Sequence, residues 1–394
     1  MKKILAATAA CAMLAACGPK TNTDSQSSGA GTSGATPTPS SVNAGVFYYN
    51  YADNYISTVR TALDAKLKEA GITYQNYDAS GNQATQSDGI TTALSNNANL
   101  LVVNIVENAS PDAAQSAADA AKAAGIPIIF FNRDFDNSVI QSYEKAVFVG
   151  TDAPEAGHLQ GELIADYLLG DYDKYDLNGD GVISYVMLKG QEGNAEADAR
   201  TQYSVEDANK KLVEAGKKEL KFYDANNSKK YLVDQKGTWS AETATDYMKT
   251  ILGEYSESNK NMVELVIANN DAMAMGAVAA LQEAGYNKAD GKSKTIPVFG
   301  VDALDAAVQM VNEGKMAGTI KQDAEGMADA IMHLINNVNS GAELMAGTDS
   351  MNVDKDVAKI RIPYQKVTAS GDNAGASASA SESASASSDT SKTA

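Results

Sequence analysis

Between residues 43 and 367, short apolar runs alternate with longer alanine-rich stretches, and few folds are compatible with that alternation. The apolar runs cover 45–49, 100–105, 126–132, 146–150, 183–189, 264–268, 296–301 and 317–320. They are short and rich in Val, Ile and Phe, as buried strands are. The stretches 55–70, 111–124, 157–169, 199–215, 241–252, 272–284, 303–313 and 324–339 read as helices. Strand, helix and strand in succession make βαβ units, which predicts an α/β fold of parallel sheets with helices on both faces. About 330 residues exceed what one hydrophobic core organises, so two domains are expected.

The two ends differ in composition from the middle. Lys2 and Lys3 precede an apolar run from Ile4 to Leu14, and Leu14-Ala15-Ala16-Cys17-Gly18 follows. A charged segment, an apolar segment and small residues before a cysteine form an export signal. The run is too short to span a bilayer as a helix. Its end resembles the bacterial lipobox, which implies a signal over residues 1–17 and a lipid on Cys17, and hence an extracytoplasmic protein held at the membrane. Residues 18–42 are mostly Ser, Thr, Gly, Ala and Pro and read as a flexible tether, and 370–394 read as a disordered Ala/Ser tail. Gly29, Gly31 and Gly34 match a dinucleotide-binding spacing, but without a preceding strand or a following helix the match has no context.

The remaining composition narrows the chemistry. The only other cysteine is Cys11, inside the signal, and His158 and His333 are the only histidines. A Cys/His zinc site is therefore absent, and a Ser-His or Cys-His nucleophile has little material. The formal net charge of −18 repels polyanions, so no nucleic-acid partner is expected.

In open parallel sheets, ligands bind beyond the carboxyl ends of the strands. Here those ends carry Tyr49, Tyr51, Asp53 and Tyr55, then Asn132, then residues 190–200 with one of the four arginines, then Asn269, Asn270 and Asp271, then Asp302. Carboxylates, amides, a guanidinium and aromatic faces suit a sugar, whose hydroxyls both donate and accept and whose ring has apolar faces. Each residue also has a plainer reading. Asn269–Asp271 and Asp302 could be helix caps. Tyr49, Tyr55 and Trp239 could be core aromatics, and Arg200 could sit in a surface ion pair.

Taken together, residues 49–55 (YNYADNY), 130–132 (FFN), 149–152 (VGTD), 268–276 (ANNDAMAMG) and 298–304 (VFGVDAL) resemble the galactose/glucose-binding proteins of bacterial importers, periplasmic binding proteins of type I. The likeness runs through nearly all of 43–367. It implies two doubly wound parallel-sheet lobes joined by a three-segment hinge, with 43–150 and 323–361 in the N-terminal lobe and 151–322 and 362–369 in the C-terminal lobe. It further implies a monomer that binds a monosaccharide between its lobes and delivers it to an ABC importer permease, without enzymatic turnover. By position, Asp53, Tyr55 and Asn132 would come from the first lobe, and Arg200, Trp239, Asn270 and Asp302 from the second. Tyr55 and Trp239 would sandwich the ring, and Tyr49 would line the mouth. Three positions depart from the family: Asn194 replaces a histidine, Glu196 an aspartate and Gln322 an asparagine. Another hexose, a methyl glycoside or a pentose therefore stays open, as does a sensor role. A glycoside-acting enzyme would need a paired acid and base, for which Asp53, Glu196 and Asp302 could supply carboxylates.

Residues 176–184 (DLNGDGVIS) stand apart. Asp176, Asn178 and Asp180 occupy positions 1, 3 and 5 of an EF-hand calcium loop, with Gly181 at position 6, Val182 at the carbonyl position 7 and Ser184 at position 9. Position 12 is Met187, so the bidentate carboxylate must come from elsewhere. The resemblance implies Glu264 for it, and thus a structural Ca2+. Otherwise these residues only shape a polar turn.

Overall fold

The computed structural model describes residues 41–369. The signal, Cys17, nearly all of the tether, the glycine match and the tail lie outside the described residues. The chain begins with β1 (Asn43–Tyr48), α1 (Asn54–Glu69), β2 (Thr73–Asp78), α2 (Gln83–Ser95), β3 (Leu100–Val103), α3 (Asp112–Ala124), β4 (Ile128–Phe131), α4 (Asn137–Gln141) and β5 (Ala146–Gly150). It then crosses to a second layer set. This holds α5 (Ala153–Gly170), α6 (Tyr172–Tyr175), β6 (Ser184–Lys189), α7 (Ala195–Glu214), β7 (Lys221–Phe222), β8 (Leu232–Val233) and α8 (Ala241–Glu254), and then β9 (Leu265–Ala268), α9 (Asp271–Glu283), β10 (Val298–Asp302), α10 (Asp305–Asn312) and β11 (Gly318–Lys321). The chain returns for α11 (Ala324–Ser340) and β12 (Lys359–Arg361) and crosses once more to β13 (Gln365–Val367).

The first sheet has the order β2-β1-β3-β4-β5-β12, and its ladders are parallel. The second runs β7-β6-β9-β10-β11-β13, with β8 also on β6; here β13 lies antiparallel to β11, so this sheet is not wholly parallel as the alternation suggested. Each sheet is buried on both faces because alternate side chains feed two separate cores. In β1, Val46 and Tyr48 join α1 and α11 residues such as Leu63 and Ile331, whereas Phe47 joins α3 residues such as Ala118. In β9, Leu265 and Ile267 face α5 and α7, while Val266 and Ala268 face α8 and α9.

Several elements were not legible in the sequence. β2 and α2 fall in a stretch left unassigned, because β2 is an edge strand reading TYQNYD with only partial burial and α2 is largely polar. Helix α5 starts at Ala153 rather than 157, since Pro154 fits a helix's first turn, where its missing N–H is not needed. Helix α10 starts at Asp305 rather than 303, because Asp302 and Ala303 have φ of 121° and 56°, outside the helical range.

Candidate functional site

The carboxyl ends of the two sheets face each other across one chamber. Tyr49, Asp53, Tyr55, Ile56, Asn132 and Arg133 line it from the first lobe, and Asn194, Glu196, Arg200, Trp239, Asn270, Asp302 and Gln322 from the second side. All eleven residues named from the sequence as sugar contacts are thus brought together. The space between these side chains is about 380 Å³ including its opening to solvent, within the range of small-molecule sites.

Helix capping explains how several of these side chains are aimed. Asp53 caps α1, its Oδ1 accepting the Ile56 N–H at 2.8 Å while Oδ2 accepts the Tyr49 hydroxyl at 2.5 Å. Asn194 caps α7 through the Ala197 N–H at 3.1 Å, and Asn270 caps α9 through the Met273 N–H at 3.0 Å. For Asn270 the cap reading and the site reading are therefore both true: one acceptor serves the helix, and the residue still lines the chamber. Asp302 is no cap, since Leu304 precedes α10. Asn132 and Trp239 also have positive φ, 65° and 57°.

Arg200 is buried and organises the second side. Its Nη1 donates to the Asn269 carbonyl at 2.9 Å, and Nη2 donates to Gln322 Oε1 at 3.1 Å and the Tyr364 hydroxyl at 2.8 Å. Tyr364 in turn pairs with Thr151 Oγ1 at 2.9 Å, so the first and third crossings are tied to the site. Five buried polar atoms of lining residues have no protein partner: Arg133 Nε, Glu196 Oε1, Arg200 Nε, Trp239 Nε1 and Gln322 Nε2. Buried polar groups are nearly always hydrogen-bonded, so such a cluster marks a place for a polar ligand. Burial holds the Glu196 carboxyl above its ordinary range, with Arg200 opposing. Burial likewise raises Asp302, helped by the nearby Asp271 and Asp53 carboxylates and opposed by Arg200.

Arg133 was missed by sequence reasoning. It follows Asn132 directly at the end of β4, so the strand-end rule that picked Asn132 should have included it. Its Nη2 donates to the Val106 carbonyl at 3.0 Å, Asn108 Oδ1 at 3.2 Å and Gln191 Oε1 at 2.8 Å, the last across the cleft. The guanidinium also covers the Tyr49 ring at 4.3 Å.

The 176–184 loop closes on itself. Asp176 accepts the N–H groups of Gly179, Asp180 and Gly181, Asn178 Oδ1 that of Asp180, and Asp180 Oδ1 that of Val182. Glu264, fully buried, spans both ends of the loop. Oε1 accepts Leu177 N at 2.8 Å and Asn178 N at 3.2 Å, and Oε2 accepts Ser184 N at 2.8 Å and Ser184 Oγ at 3.1 Å. The donor types suit a hard cation, and Glu264 reaches the loop from the strand side. Their oxygens are meanwhile engaged with N–H and O–H groups, and among the described residues no group of three or more His, Cys, Asp or Glu side chains is gathered as a metal cluster.

Two sheet lobes closing on a polar chamber, with three crossings between them, define a solute-binding protein. A family model described as the periplasmic binding protein domain matches residues 44–343. The chain belongs to that family, and it is a binding protein rather than an enzyme. It is 37% identical over 332 residues to the D-galactose/methyl-galactoside binding periplasmic protein of Haemophilus influenzae, covering 84% of this chain and 90% of that one. It is 26% identical to the D-xylose-binding periplasmic protein of Escherichia coli, over 74% of this chain and 76% of the other. Among solved structures, an ABC transporter solute binding protein from Clostridium phytofermentans with bound beta-D-glucose aligns with a TM-score of 0.64 at 23% identity, over 83% of this chain and 94% of that one, which shows the shared fold.

Proposed function

We propose that this protein is the sugar-binding component of an ABC importer, taking D-galactose and D-glucose, or a methyl-galactoside, between its lobes and handing the sugar to the importer's permease. The observation that carries this reading is the cluster of five unpartnered polar atoms in the chamber. Four are N–H donors on Arg133, Arg200, Trp239 and Gln322, and one is a carboxylate acceptor on Glu196. Hexose hydroxyls can answer all five, because each donates and accepts. The Haemophilus relative, whose name gives galactose and methyl-galactoside, favours a hexose over a pentose. Lipid on Cys17 would hold the protein outside the cytoplasm at the membrane, and calcium in the 176–184 loop would be structural.

A thermal-shift screen of the purified protein against monosaccharides tests the reading. Ligand that binds only the native state adds roughly 4 kcal/mol of stability at about a thousand times its dissociation constant. Galactose and glucose are expected to raise the melting temperature most. If neither does, the chamber is not a site for these sugars.

A further inference from the structure

Trp239 is the one tryptophan of the chain. Its φ of 57° lies in the left-handed region, where a bulky side chain crowds the neighbouring backbone, so surrounding structure must hold it there. The indole cannot do so through its own polar atom, because Nε1 is buried without a partner. The holding group is the carboxylate of Asp234, itself 2% exposed. Its Oδ2 accepts Thr238 N at 3.2 Å, Thr238 Oγ1 at 2.9 Å and Ser240 N at 3.1 Å, and its Oδ1 accepts Lys236 N at 2.9 Å. These donors bracket Trp239, so the backbone on both sides of it is pinned to one carboxylate. Gly190 then makes room for the ring: a Cβ there would lie 2.1 Å from Trp239 Cε3. On the chamber side, Asn270 Nδ2 donates to the Trp239 carbonyl at 3.4 Å.

We propose that Asp234 is a positioning residue for sugar binding. By fixing the 238–240 turn it presents the Trp239 indole as a rigid wall of the chamber, although Asp234 itself is not among the residues that line it. An aromatic wall that is already in place loses little freedom when a ring stacks on it, so affinity depends on the clamp. The proposal rests on the sugar reading above, and its test separates the two.

Because the chain has a single tryptophan, its emission reports this wall alone. Asp234→Ala is expected to shift the emission of the sugar-free protein to longer wavelength, to increase quenching by acrylamide, and to weaken galactose and glucose alike by at least about tenfold in calorimetry. Asp234→Asn keeps one acceptor oxygen but turns a donating NH2 toward the remaining N–H groups, so its emission, quenching and affinity should move the same way as in Asp234→Ala, by no more than in alanine. Thr238→Ala, which withdraws only the hydroxyl bond, should move emission and quenching the same way by less. Wild-type emission and quenching in a folded Asp234→Ala protein would overturn the proposal, as they would in Thr238→Ala should Asp234→Ala fail to fold. Wild-type affinity for both sugars in a folded Asp234→Ala protein whose emission has shifted would show that affinity does not depend on the clamp and would also overturn it. If the wild type binds neither sugar, the sugar reading fails, while emission and quenching still judge the clamp.

Discussion

Asp53 serves helix α1 with one oxygen and Tyr49 with the other, and from there it lines the chamber. A carboxylate offers several acceptor directions, so it can meet a hydroxyl that is axial in galactose and equatorial in glucose. Asp53→Ala is therefore expected to weaken both epimers together by about 1.5–3 kcal/mol in calorimetry. It should also lower stability by about 1 kcal/mol through the lost cap, which Asp53→Asn would largely retain. An epimer left unaffected by the alanine would count against this placement. Behind the site, burial pushes the Asp271 carboxyl from 3.8 up to about 7, while bonds from Thr319 Oγ1 at 2.6 Å and Leu304 N at 2.8 Å pull it the other way. A folded-state value above the unfolded one means stability that is whole below about pH 4 and is lost as pH rises through about 7. Asp271→Asn cannot titrate. The melting temperature of wild type minus mutant should thus fall between about pH 4 and about pH 7.5, and parallel pH curves would sink the assignment. At this scale the sequence was informative about residue types and silent about partners. Strand-end position singled out Asn270 and Asp302, but only the fold shows that Asn270 is cap and lining residue at once, or that Asp271 and Asp234 stand behind their neighbours.

Among the elements, the loop between α6 and β6 joins a motif to a distant residue. Its spacing is visible over nine residues, whereas the contact with Glu264 on the neighbouring strand path cannot be read from spacing, and the resemblance supplied it. Burial raises the Glu264 carboxyl, opposed by the N–H groups of Ser184, Asn178 and Leu177 and by the Ser184 hydroxyl. If calcium occupies the loop, a chelator lowers the melting temperature and Glu264→Gln lowers it comparably in the presence of calcium. Identical melting curves with calcium and with chelator would remove the metal from the account. The stretches that sequence periodicity resolved are those whose faces are committed: β3 and β4 are buried along their whole length and were found. Periodicity failed at β2, whose exposed edge mixes polar and aromatic residues, and at β13, which is only three residues long.

The molecule as a whole is two sheets that share one chain three times over, so any movement of one sheet relative to the other would have to bend those passages. Arg133 and Gln191 meet across the cleft at 2.8 Å, so part of the contact between the two sides is made by protein groups alone. At the far end of the chain, Cys17→Ser is expected to release the protein from the membrane fraction and abolish lipid labelling; a labelled, membrane-retained mutant would contradict the anchor. The crossings have a further consequence, for the order of assembly. The sheet that begins at Asn43 receives its last strand from Lys359–Arg361, and the other is finished only by Gln365–Val367. A chain emerging from its amino terminus can complete neither lobe until almost all of the described residues are available. Docking of the last strands must then come late in folding, after synthesis of both lobes. A truncation that removes only residues 359–369 would deprive both sheets of an edge at once.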